Sequence, residues 1–90
     1  MIEFSDGVLK VTSPMRIGNA RQLYEDGSSL IAAGTCKVDL SAVDDADSSA
    51  LSVLLRWTSI ARAQGSDLQI TNMPTSVRSL QELYGIESIL

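Results

Sequence analysis

The run Val38-Asp39-Leu40-Ser41-Ala42-Val43-Asp44-Asp45-Ala46-Asp47-Ser48-Ser49-Ala50-Leu51-Ser52-Val53-Leu54-Leu55 constrains the fold more than any other stretch. It reads as a buried strand, a short acidic loop and the capped start of an amphipathic helix. A strand that feeds a helix over so few residues belongs to an α/β unit, with right-handed crossovers and helices packed on a largely parallel sheet. The same run puts Asp47, Ser48 and Ser49 at the helix mouth, beside free backbone N–H groups and the positive end of the helix dipole. An oxygen acceptor or a phosphate is favoured there, so this junction is the expected functional surface.

The rest of the chain keeps that alternation. Residues 2–4 and 8–12 are β-prone runs joined by Ser5-Asp6-Gly7, which suits a hairpin turn. Pro14 ends the second run, and Asn19 offers an N-cap for a helix reaching about Ala33. Leu23, Leu30 and Ile31 with Ala20 and Ala33 keep helical spacing, Gly27-Ser28-Ser29 weakens the middle, and Gly34 is the stop. Residues 36–40 form a strand with few charges, as expected of a central position covered on both faces. A helix from about Ser48 to Ala63 closes at Gly65, and residues 68–71 make the next strand. Pro74 suits the first turn of a last helix carrying Val77, Leu80, Leu83 and Tyr84, with Gly85 ending it before Ile86-Glu87-Ser88-Ile89-Leu90. The order is β-β-α-β-α-β-α, and 90 residues make it one compact domain, 1–90.

On the central helix, Leu51, Leu54, Leu55 and Thr58 share one side, flanked by Ala50 and Ala61, while Val53, Trp57 and Ile60 continue around the circumference. That arc is about twice the width needed to dock on one sheet. Two partners fit the excess: the last helix, or another protein meeting an exposed patch centred on Trp57. The opposite side carries Ser49, Ser52, Arg56, Ser59 and Arg62.

Composition removes much chemistry. The chain has no histidine and a single cysteine, Cys36, which excludes the familiar zinc sites and the commonest general base. Cys36 reads as a small buried hydrophobe. No phosphate-binding glycine loop occurs, and no cofactor is expected. Asp44, Asp45 and Asp47 could hold a divalent ion, but an acidic loop before a helix more often caps it. A net charge of −4 without any Lys/Arg run disfavours nucleic acid and direct docking to anionic lipid. The amino end lacks the apolar core of a secretory signal, and no apolar run approaches the ~20 residues that span a bilayer. A non-catalytic protein, not inserted in the membrane, is the expectation.

The pattern Val38-Asp39-Leu40-Ser41, Asp47-Ser48-Ser49-Ala50-Leu51, Gly65 and the strand at 68–71 resembles the STAS domain over nearly the whole chain. That resemblance implies an α/β, STAS-like fold: a four-stranded, mostly parallel sheet with an N-terminal β-hairpin and helices packed on one side. It also implies a partner-binding surface around the start of the central helix. In the anti-sigma-factor antagonists of the family, the Ser before a Gly in D-S-S-G is phosphorylated by a partner kinase; Ser49 matches it, with Ala50 in place of the Gly. In the small STAS subunit of Mla-type phospholipid transporters, a Thr one position earlier is the sensitive hydroxyl, and Ser48 matches it. The short chain, the Leu-Leu-Arg-Trp segment and the ending Glu82 to Leu90 resemble this second branch.

The leading expectation is therefore a cytoplasmic accessory subunit, peripheral to the inner membrane through a transporter complex, that binds an ABC-type ATPase through Asp45, Asp47, Ser48, Ser49, Ser52, Arg56 and Trp57. The alternative is an anti-sigma-factor antagonist switched by an anti-sigma-factor kinase at Ser49, with Ser48 a second candidate for modification. Unpaired apolar surface could also make a homodimer.

Overall fold

In a computed structural model, which describes residues 1–85, the chain runs β1 (Ile2–Ser5), β2 (Val8–Val11), α1 (Ala20–Ala32), β3 (Lys37–Asp39), α2 (Ser49–Ala63), β4 (Gln69–Thr71) and α3 (Thr75–Leu83). The stretch from Ile86 to Leu90 lies outside the described residues. Ser5 pairs with Val8, so the first hairpin turns on Asp6 and Gly7 alone. Both hold positive φ, 52° and 77°, the backbone of a type I′ turn whose twist matches its strands, and Asp-Gly supplies it at little steric cost. β1 pairs antiparallel with β2, and β2–β3 and β3–β4 are parallel, giving the sheet order β1-β2-β3-β4.

Strand alternation decides which face the helices cover. Leu9, Val38 and Ile70 are in register across three strands, and Leu9 and Val38 are fully buried with Val11 and Leu40. The neighbouring row, Lys10, Asp39 and Thr71, points the other way. Among the described residues β3 is thus central but covered on one face only, against the expectation of a doubly covered strand. Its two charged residues, Lys37 and Asp39, flank Val38 and both lie on the open face. Over so short a strand, alternation and a weakly charged run look alike.

Each long helix ends where a glycine permits it. Gly34 and Gly65 have φ of 114° and 79°. The next amides, of Thr35 and Ser66, donate back to the carbonyls of Leu30 and Ala61 at 3.1 and 2.9 Å, a Schellman closure in both cases. The start of α1 differs from the expected N-cap. The Asn19 side chain makes no capping bond to the helix. Its Oδ1 accepts from the Arg16 amide at 3.0 Å and its Nδ2 donates to the Pro14 carbonyl at 2.6 Å, so it closes the preceding loop instead.

α2 touches both α1 and α3 and shares one apolar core with the sheet, which accounts for its wide apolar arc. Trp57 is fully buried, which corrects its placement in a docking patch, and it is buried against α1 rather than under the last helix. The indole lies on Gly27, and its Nε1 donates to the Tyr24 carbonyl at 3.3 Å. The glycine that weakens α1 as an isolated helix is what lets α2 approach it. In α3, Val77 is buried, whereas Leu83 and the C-cap residue Tyr84 are 74% and 58% exposed.

Candidate functional site

The entrance of α2 is built by two loops held together by the backbone. Met15 and Ala46 form a parallel bridge, with the Met15 amide donating to the Asp45 carbonyl at 2.9 Å and the Asp47 amide to the Met15 carbonyl at 3.0 Å. Residues 14–19 are thereby pinned beside the acidic loop. Met15 itself is buried and anchors the segment.

Asp47 then serves both loops. One carboxylate oxygen accepts from the Ser49 amide at 2.9 Å, satisfying a free N–H of the first helical turn, and the other accepts from the Ile17 amide at 3.0 Å. The Ile17 amide, then the Ser49 amide, hold its carboxyl below the usual carboxylate range, with the Ser49 hydroxyl and Arg16 guanidinium adding smaller favourable effects. Asp39 is lowered in the same way, first by the Asn72 side chain and then by the Ser41 amide. These bonds tie the ends of β3 and β4 below the site.

Asp45 forms a salt bridge with Arg16 at 2.9 Å, both side chains half exposed. Two of the three loop aspartates are thus turned to a guanidinium and to backbone amides. No group of carboxylates placed to hold a metal occurs among the described residues.

With Asp47 acting as the cap, the Ser48 hydroxyl is left out of the helix. Ser48 occupies the N-cap position without a side-chain capping bond and is exposed, whereas Ser49 is half-buried. Ser48, Ser52 and Arg56 follow at intervals of four, all exposed, and form one stripe along the outer side of α2. Grooves flank the stripe. Ser48, Leu51, Ser52, Leu55 and Tyr84 line an open one of about 320 Å³ toward α3. Toward α1, Ala20, Arg21, Tyr24, Ser52, Val53 and Arg56 line one of about 240 Å³.

Of the residues picked from sequence, Asp45, Asp47, Ser48, Ser49, Ser52 and Arg56 therefore share one surface, and Trp57 lies beneath it. Arg16 and Ile17 were missed. Ile17 is 78% exposed at the rim, carried there by the Asp47 contact across 30 residues, and no local sequence pattern reports such a contact. Tyr84, expected on the last helix, borders the α3 groove.

Residues 2–90 match the family model described as Mlab, STAS domain. No curated protein matches the chain. Among solved structures, a Thermotoga maritima protein described as a candidate anti-sigma factor antagonist aligns with a TM-score of 0.78 at 19% identity, covering all of this chain and 81% of that one. The anti-sigma factor antagonist SpoIIAA in its unphosphorylated form gives 0.68 at 15% identity, over 92% of this chain and 81% of its own. The Bacillus cell fate determinant SpoIIAA in its phosphorylated form gives 0.67 at 14%, over 98% and 85%. At these identities the likeness is one of fold: a four-stranded mixed sheet with an N-terminal antiparallel hairpin and three helices.

Proposed function

The chain belongs to the STAS domain family of the Mlab type, and from that premise we propose that it is a non-catalytic interaction subunit of an Mla-type ABC phospholipid transporter. In this reading it binds and supports the transporter's cytoplasmic ATPase, and so serves outer-membrane lipid asymmetry from the cytoplasmic side. STAS domains are generally non-catalytic. No helix among the described residues is long and apolar enough to cross a membrane, so contact with the bilayer would come through the complex.

The observation that carries the reading is the open Ser48 hydroxyl at the head of the Ser48–Ser52–Arg56 stripe, beside an apolar-floored groove. A preorganised polar ridge next to apolar area has the make-up of a protein interface, with an apolar centre and a polar rim. A phospho-switch at Ser49 is less well served. A phosphate there would add about −1.5 to −2 charges beside the Asp47 carboxylate that already holds the Ser49 amide.

Co-expression with the ABC ATPase of a phospholipid transporter tests the proposal. The wild-type chain is expected to co-purify with it, and Ser48→Arg, which leaves the core untouched, to lose the complex. A complex unchanged by Ser48→Arg overturns the reading. A mass shift from an anti-sigma-factor kinase and ATP, lost in Ser49→Ala, would favour the rival.

A further inference from the structure

The groove between α1 and α2 has a composition unlike the rest of this acidic surface. Ala20, Tyr24 and Val53 give it an apolar floor, and Arg21 and Arg56 stand on its rims. Its volume, about 240 Å³, is below the ~300–1,000 Å³ typical of small-molecule pockets, which suits one inserted side chain better than a free ligand.

The two arginines are not equivalent. Arg21 is tied to Glu25 at 3.2 Å across one helical turn, with its side chain 93% exposed, a weak and screened pair. Arg56 has no carboxylate partner among the described residues. Its guanidinium carbon sits 5.5 Å from the centroid of the Tyr24 ring, so a cation–π contact holds the group over the groove mouth. A guanidinium oriented on an aromatic face keeps its N–H donors free at the edge, in the fork geometry that fits a carboxylate. On a chain with a net charge of −4, an unneutralised arginine above an apolar floor marks a place where negative charge is favoured.

We propose that the α1–α2 groove docks an acidic, apolar segment of a protein partner, one aromatic or aliphatic side chain entering between Ala20, Tyr24 and Val53 while an adjacent Asp or Glu meets Arg56. The inference rests on α2 being the docking element, as in the reading above, but not on the partner being an ATPase. It gives Ser52, which borders both grooves, a place on the ridge between two contact areas.

The test is selection of a random dodecapeptide phage library on the immobilised full chain, followed by affinity measurement with the enriched synthetic peptides. Enriched sequences are expected to carry an apolar residue within two positions of an Asp or Glu. Arg56→Gln should weaken them by about tenfold or more, as expected for loss of a charge-assisted contact, and Ser52→Phe, which fills the groove from its rim, should do the same. Both substitutions are at exposed positions, and unchanged circular dichroism verifies the fold. Absence of enrichment over blank support, a neutral or basic consensus, or acidic peptides that bind both variants as tightly as wild type would each overturn the proposal. Because no ATPase is present, failure here is distinct from failure of the Ser48→Arg experiment.

Discussion

Replacing Gly27 by alanine sets two known effects against each other. Alanine is favoured over glycine in a helix interior by about 1 kcal/mol, and Gly27 has no left-handed backbone to preserve, so propensity alone predicts stabilisation. The structure predicts the reverse. A Cβ at Gly27 would lie 2.9 Å from Trp57 Nε1 and closer still to two ring carbons. Trp57 has no exposed surface through which to retreat. Overpacking of this kind costs about 1–3 kcal/mol, and displacing the indole also endangers its bond to the Tyr24 carbonyl, worth about 1 kcal/mol. The net expectation is a loss of about 2 kcal/mol, a fall in Tm of roughly 8–16 °C for a domain of this length. Thermal and urea unfolding followed by fluorescence report it directly, since Trp57 is the chain's only tryptophan. Gly18→Ala, where nothing lies within 4 Å, is the control and should be nearly neutral. A Gly27→Ala protein as stable as wild type, or more stable, would refute the close α1–α2 packing described here.

Asp47→Ala should lower the urea midpoint at pH 7 by removing acceptors from the Ile17 and Ser49 amides. Asp47 has a depressed carboxyl pKa in the folded state, so its contribution is fully present above the ordinary aspartate range near ~4 and is lost as pH falls through the lower, folded value. The gap between variant and wild type should therefore begin to narrow below about pH 4 and keep narrowing as pH falls through the folded value, as midpoints measured across pH will report. Asp45→Asn, which breaks a half-exposed pair with Arg16, should cost less than about 1 kcal/mol, and that cost should shrink in high salt.

The parts of this fold that local chemistry controls were legible in the sequence. Asp6-Gly7 announced the hairpin, and Gly34 and Gly65 announced the helix ends, because each residue acts on its own backbone. The acidic mouth of α2 was also readable, since a carboxylate one or two residues before a helix has few other tasks. The partner of Trp57 was not, because a helical wheel gives the width of an apolar arc and not the identity of its neighbours. The available signal was Gly27-Ser28-Ser29, a patch of small side chains that permits close helix approach and was read only as poor helix propensity. Asn19 has an N-cap's residue type and position, yet the loop carbonyl of Pro14 and the amide of Arg16 outcompete the helix for its side chain. Arg16 and Ile17 reach the site through tertiary pairing of two loops, which leaves no periodic trace.

The docking role of the α2 entrance is tested most directly by amide chemical-shift mapping of the labelled chain titrated with a transporter ABC ATPase. Perturbations are expected to gather at residues 16–18 and 47–52 and to extend along α2 to Arg56. Perturbations gathered instead on the open sheet face around Lys10, Lys37 and Asp39, or none at saturating ATPase, would contradict it.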